Sequence, residues 1–391
     1  MSLQTNAMPV TEPDGPPRFS AEEMGRRRQV LDDALDLAGV DAVVLYGANR
    51  SGSAVQWLTG WPVTREAAVV HRRGERDLLL VHFYNHVPQA RRVAADADVD
   101  WAGPDLGTVL VDALGSRGAG RVGVIGPMPF SLHGRLGAAF ADVVDLNGAY
   151  TRMRLRKSSE ELEWLAEAAR LTDLSCAALR DGARVGASEH ELGALVEGSY
   201  LPFGGTNYIH YFSITPMARP RQCVPSQWPS GRRLAAGDVL SCELSTSWGV
   251  DYPGQLLRTF TVAADPTPLY ADLHAVAGAA LDRVESVLRP GVTADVIVDA
   301  ASVIEEAGYT TVDDLVHGLG GGYLPPIIGS RSRTLEPPPA MPLEEGMTVV
   351  VQPNVTTLDG LAGVQTGELF HITAEGSQRL HHFPRGLGRI A

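Results

Sequence analysis

Cysteine is scarce in this chain: three stand among 391 residues, Cys176, Cys223 and Cys242, and no two have Cys-x-x-Cys spacing. Their scarcity excludes a disulfide framework and a thiolate zinc site, and it fits a reducing, cytoplasmic setting. Basic residues are in deficit, with 33 Lys and Arg against 46 Asp and Glu and a formal net charge of −13. Nucleic acid is therefore excluded as a partner, because gripping phosphates needs a basic face. Long apolar runs are missing as well. A stretch such as Thr348 to Val351 falls far short of the roughly 18 residues that span a bilayer, so no membrane partner is expected. The first nineteen residues have neither a basic start nor an apolar run, and are expected to form a flexible arm rather than a signal peptide.

What the chain does have is apolar residues, 44% of the total, enough for two domains and a large core. Ala21 to Ala38 carries apolar residues at helical spacing between Ser20 as N-cap and Gly39 as stop. Strands are predicted at Asp41 to Leu45, Ala67 to His71, Asp77 to Phe83 and Arg121 to Ile125. Helices are predicted at Val87 to Ala94, Thr108 to Leu114 and Leu132 to Phe140. Such alternation means an α/β domain. A long helix is then expected from about Ser159, read as its cap, to Arg180, and another from Ser188, where Ser-Glu-His-Glu191 has capping-box spacing. A strand at Tyr208 to Thr215 precedes a hairpin, Val239 to Thr246 and Gln255 to Val262, whose turn holds Gly249, Asp251, Pro253 and Gly254. Helices return at Pro268 to Leu288 and Ala294 to Ala307, and strands at Met347 to Gln352 and Glu368 to Thr373.

Several ordered blocks carry a family likeness: Arg156-Lys-Ser-Ser-Glu-Glu-Leu162, Gly186-Ala-Ser-Glu-His-Glu-Leu192, Gly237-Asp-Val-Leu240, Arg258-Thr-Phe260, His317-Gly-Leu-Gly320, Glu345-Gly-Met-Thr348 and Gln352-Pro353. With them the chain resembles the creatinase/prolidase/methionine-aminopeptidase family. The resemblance implies an α/β creatinase-type N-terminal domain over residues 20–150. An α+β pita-bread domain over 151–391 would follow, a pseudo-two-fold, curved antiparallel sheet covered by helices. It also implies a homodimer.

In the family's peptidases two Asp, one His and two Glu hold two metal ions. Here the corresponding positions hold Glu243, Gln255, Gly321, Gln352 and, near the C-terminus, Gln365-Thr-Gly367 followed by Glu368. A neutral amide is a poor ligand for a hard cation and glycine has no side chain, so neither metal nor cofactor is expected. Metal-free creatinase is the member nearest in character, sharing Gly60-Trp61 and Phe383-Pro-Arg-Gly386.

Three residues are candidate proton carriers: His317 by motif, Glu243 on the hairpin, and His210 on the preceding strand. Each has a plainer alternative, a hydrogen-bonded core histidine for His210, a loop-holding histidine for His317 and a salt bridge with Arg258 for Glu243. Gln255 and Gln352 suit hydrogen bonding to substrate, as do Tyr252 and Glu368, while Arg331 or Arg333 would clamp a substrate carboxylate. The expected function is metal-independent hydrolysis of a C–N bond in a small, polar, carboxylate-bearing molecule. A lyase, dehydratase or isomerase comes next, then a non-catalytic binding protein on the same fold, and a metal-dependent Xaa-Pro peptidase last.

Overall fold

A computed structural model describes residues 15, 17–116, 118–333 and 340–391. The expected arm at 1–19 lies outside these except for residue 15 and residues 17–19, and Phe19 at its end already packs over the Arg27 guanidinium at 3.9 Å. The chain divides into two compact units, Met1–Arg154 and Leu155–Ala391.

The first unit runs α1 (Ala21–Ala38), β1 (Ala42–Ala48), α2 (Ala54–Thr59), β2 (Glu66–His71), β3 (Asp77–Val81), α3 (Val87–Val93), β4 (Ala97–Trp101), α4 (Leu106–Gly115), β5 (Arg121–Ile125), α5 (Phe130–Ala139), β6 (Asp142–Asp145) and α6 (Asn147–Met153). Its six strands form one mixed sheet in the order β4-β3-β2-β1-β5-β6. Apolar clusters fill both faces of this sheet, with Val43, Leu45 and Val69 on one side and Val44, Ala68 and Val122 on the other. Continuous burial explains why β1 reads as an unbroken apolar run rather than an alternating one.

The second unit comprises α7 (Ser159–Gly182), α8 (Glu189–Tyr200), β7 (Thr206–Pro216), β8 (Asp238–Ser247), β9 (Pro253–Val262), α9 (Pro268–Val287), α10 (Ala294–Ala300), α11 (Val303–Glu306), β10 (Thr310–Thr311), β11 (Val316–Leu319), β12 (Tyr323–Ile328), β13 (Thr348–Val351), β14 (Val355–Thr356), β15 (Glu368–Thr373), β16 (Gly376–Arg379) and β17 (Gly388–Ile390). Two sheets carry it, β17-β9-β8-β7 and β12-β11-β13-β15-β16, with β10 pairing β14 apart from them. They are linked where Gly367 and Leu257 exchange backbone hydrogen bonds of 3.0 and 3.2 Å.

Helix α7 lies against the hairpin. Its cap is Ser158 rather than Ser159, because only Ser158 stands three residues before a glutamate that returns the bond. The Ser158 hydroxyl accepts from the Glu161 amide at 3.2 Å, and the Glu161 carboxylate accepts from the Ser158 amide at 2.9 Å. Gly254 permits the close approach, since a Cβ there would sit 2.6 Å from the Ala169 Cα. Helix α9 turns Tyr270, Leu273, Ala277, Leu281 and Val284 into a core shared with Val316, Val349, Val351 and Phe370. The single helix expected over 294–307 is broken at Ala301 and Ser302, where the Ser302 amide bonds the Asp299 carbonyl three residues back.

Candidate active site

Strand register decides which side chains share a face. Glu243 on β8 stands opposite Leu257 on β9 and Tyr211 on β7, and Ser245 opposite Gln255. Side chains two residues apart point the same way, so Glu243, Ser245, Gln255 and Tyr211 occupy one face of the hairpin sheet. The buried Gln255 amide nitrogen donates to Glu243 Oε1 at 2.9 Å and to Gln352 Oε1 at 3.0 Å. Gln352, just past β13, in turn donates to the Asp314 carbonyl at 3.3 Å. A continuous polar chain thus runs from Glu243 to the Asp313–Asp314 corner that precedes β11.

His317 lies under this corner. It is 2% exposed, and the Tyr323 ring stacks on it with centroids 4.4 Å apart. Its Nδ1 is 3.1 Å from the Gly318 carbonyl, which only accepts, so Nδ1 carries the hydrogen and Nε2 is left as an acceptor. Burial drives the imidazole down to about 4, against the opposing pull of the Gly318 carbonyl, Asp313 and Gln352. Glu243 moves the other way. Burial, then the charges of Asp313 and Asp314, push its carboxyl up to about 8. Burial and the adjoining Asp314 carboxyl lift Asp313 to about 6, although Asn354 donates to it at 3.3 Å.

The glycine run beside His317 turns its backbone to the hairpin turn. Gly320, Gly321 and Gly322 all take positive φ, between 74° and 105°, and the Gly321 and Gly322 amides donate to the Asp251 carbonyl at 2.7 and 3.1 Å. The run clasps the hairpin turn, and only glycine takes three such conformations in a row without strain.

Of the predicted site residues, Glu243, Gln255, Gln352 and His317 come together. The others do not. His210 stands opposite Leu244, on the face away from Glu243, where its Nδ1 is 3.3 Å from Glu197. Arg331 is half exposed and bonds Asp299 at 2.8 Å, and Arg333 is exposed on the same loop. Glu368 is fully buried among Arg258, Arg379 and Arg385; burial alone would raise its carboxyl, and these guanidinium groups hold it below the usual range. Arg258 therefore serves Glu368 and leaves Glu243 to Gln255. Tyr252 gives its hydroxyl to Glu161 at 2.6 Å and packs edge-on to Trp164, so it anchors α7. Sequence reasoning missed Asp313, Asp314, Asn354, Ser245, Tyr211 and Tyr323. The one available signal was the Asp-Asp pair three and four residues before His317.

Residues 163–374, more than half of the chain, match the model of metallopeptidase family M24. The chain belongs to this family. This M24 protein is 26% identical over 241 residues to the Xaa-Pro dipeptidase of Pyrococcus furiosus, a match spanning 60% of this chain and 65% of that one. It is 22% identical over 387 residues to a Bacillus creatinase, spanning 95% of this chain and 93% of the relative. The X-Pro aminopeptidase from Thermotoga maritima superposes with a TM-score of 0.81 at 20% identity, covering 93% of this chain and 99% of that one. The Xaa-Pro dipeptidase from Bacillus anthracis gives 0.79 at 20% identity, covering 94% of this chain and 100% of that one. These likenesses establish an N-terminal α/β domain followed by a pita-bread domain.

The same comparisons overturn the expected ranking of functions. A metal-independent creatinase-like hydrolase stood first and a peptidase last, yet relatives of this M24 chain carry dipeptidase and prolidase names, which puts a peptidase first. The family name implies metal, but the side chains at the positions the resemblance assigns to it are poor ligands. Gln255 and Gln352 offer neutral amides already bonded to each other, Gly321 and Gly367 have no side chain, and Glu368 is held by three guanidinium groups. Among the described residues no group of three or more His, Cys, Asp or Glu side chains is arranged to hold a metal ion. The residues present do not fit a metal pair. Nor is any helix of the described residues long and apolar enough to cross a membrane.

Proposed function

We propose that this chain hydrolyses an amide C–N bond in a small peptide-like substrate bound on the Glu243 face of β8 and β9. The peptidase names of its relatives, Xaa-Pro dipeptidases among them, support the bond type. One observation within the chain carries the chemistry: two carboxyl groups of the same site, Glu243 at about 8 and Asp313 at about 6, lie on opposite sides of neutrality. Such a split assigns an acid and a base.

At neutral pH Asp313 is mostly ionised and takes a proton from water as the water oxygen bonds to the substrate carbonyl carbon. Glu243 is mostly protonated and passes its proton to the departing nitrogen as the C–N bond breaks. Solvent then carries a proton from Asp313 back to Glu243. His317 has a supporting part. Protonating an imidazole lowered to about 4 would cost about 4 kcal/mol at neutral pH, so it acts through Nε2 as a hydrogen-bond acceptor for water or a substrate N–H. Gln255 and Gln352 hold the acid and the base corner in register.

The test is a panel of dipeptides incubated with the purified protein, with and without added manganese or cobalt. Cleavage that Glu243→Gln abolishes upholds the reading. No C–N cleavage under either condition, or cleavage indifferent to that substitution, sinks it. The reading extends to a cytoplasmic homodimer, which light scattering of the purified protein checks directly for its oligomeric part.

A further inference from the structure

We infer that His71 is held as an imidazolium whose charge latches α1 onto the β2–β3 hairpin of the first unit, a latch that alkaline pH releases. The latch does not depend on the hydrolase reading.

The ring has an acceptor on each side. Its Nδ1 lies 2.6 Å from Asp77 Oδ1 and its Nε2 lies 3.0 Å from Asp32 Oδ1. An ionised carboxylate only accepts, and a neutral imidazole donates through one nitrogen alone, so the two bonds together require both N–H groups of the cation. Burial makes the arrangement sensitive. His71 is 2% exposed and Asp77 1%, and a buried carboxylate that loses its cation is strongly destabilising.

The three residues come from three elements. His71 ends β2 and Asp77 opens β3, where the pairing of Val70 with Leu78 brings them across the hairpin from each other. Asp32 stands one turn after Arg28 on α1, so the two share a face. Arg28 Nε donates to the second oxygen of Asp77 at 2.8 Å, and its Nη1 lies 3.5 Å from Asp96, ahead of β4. Asp77 therefore keeps a cation whatever the state of His71. Asp32 faces the ring itself, so on losing its proton Nε2 would turn a lone pair toward that carboxylate. Of the neighbouring charges, Arg72 directs its guanidinium to the Leu114 carbonyl at 2.8 Å, and Arg73 pairs with Asp36 further along α1. From β1 the ring meets Val43, which carries no charge.

Burial alone would lower the imidazole, and Asp77, then Asp32, carry it above its ordinary 6.5. The latch is thus fully closed below that ordinary value and is lost as the pH rises through the raised one. Raising the value by one pH unit is worth about tenfold in the equilibrium that frees α1.

Two measurements on the full chain test this. Nitrogen NMR of protein carrying labelled histidine, with the His71 signals identified by their loss in His71→Gln, reads the protonation of both ring nitrogens. Both are expected to carry hydrogen at about pH 7 and to titrate together above the ordinary histidine range. Hydrogen exchange of the α1 amides, corrected for the intrinsic effect of pH, is then followed up to about pH 10. It should quicken about tenfold for each pH unit by which the NMR titration is raised, while the amides of α4, which carries no histidine, do not follow. In Asp32→Asn the alkaline quickening should shrink, because a carboxamide can bond Nε2 whether or not it carries hydrogen. A ring nitrogen without hydrogen at about pH 7, α1 exchange indifferent to pH, α1 and α4 quickening together, or a quickening undiminished in Asp32→Asn overturns the inference.

Discussion

Replacing Glu243 by glutamine keeps the shape of the side chain and the acceptor that Gln255 uses, but removes a proton-binding group whose carboxyl is raised from 4.5 to about 8 in the fold. Between those values the folded chain holds a proton that the unfolded chain has released. The contribution of Glu243 to stability is thus fully present below its unfolded value and is lost as the pH rises through about 8. At about 1.4 kcal/mol per pH unit, the full loss is at most about 5 kcal/mol, of which about 4 falls between about pH 5 and about pH 9. Glutamine carries no such penalty, so the variant should gain on the wild type by that amount across the interval.

Thermal unfolding reads the effect. For a unit of this size about 1 kcal/mol moves the midpoint by about 3 °C, so the gap between variant and wild type should widen by about 10 °C from about pH 5 to about pH 9. Comparing the two proteins cancels the titration of every group common to both. The Asp313–Asp314 pair does not cancel completely, but losing the Glu243 charge relaxes that pair too and shifts the gap in the same direction. Parallel pH–stability curves for the two proteins would refute the buried, charge-crowded environment assigned to Glu243, and with it the acid role. The variant should also be inactive, so stability gained and activity lost would travel together.

Four further outcomes are expected. The rate of C–N cleavage should fall below about pH 6 as Asp313 takes up its proton and above about pH 8 as Glu243 loses its own, and a flat profile across that range would count against both roles. Glu368→Gln leaves Arg258, 1% exposed, without its charged partner and should cost about 3 kcal/mol in denaturant titration. Gly254→Ala drives a Cβ to within 2.6 Å of the Ala169 backbone and should destabilise the second unit by about 1–3 kcal/mol, visible as an earlier midpoint. Arg331→Ala and Arg333→Ala, both at the exposed loop, should leave KM within about twofold of wild type, as surface substitutions usually do; a tenfold rise in either would return a carboxylate clamp to consideration.

How much of this site was legible in the sequence depended on which physical rule governed each residue. Local rules were readable. The strands Arg121–Ile125 and Glu368–Thr373 fall where their apolar runs predict, and Ser188 caps its helix with Glu191 as their spacing requires. Where local propensity ran against structure the reading failed: β4 is an edge strand carrying Asp98 and Asp100 on its exposed side, and aspartate is a poor strand former. The site itself turned on register, which no local rule supplies. His210 and Glu243 stand on neighbouring strands, and shifting the pairing by one residue would have placed both on one face. The same holds for charge. Asp313 and Asp314 are an ordinary acidic dipeptide in the sequence, and only where the sheet places them by Glu243 do they raise that carboxyl. The family resemblance pointed to Glu243, Gln255 and Gln352 as residues to consider together. The side chains gathered there, three amides, three carboxyl groups and a neutral imidazole, make it a place for moving protons.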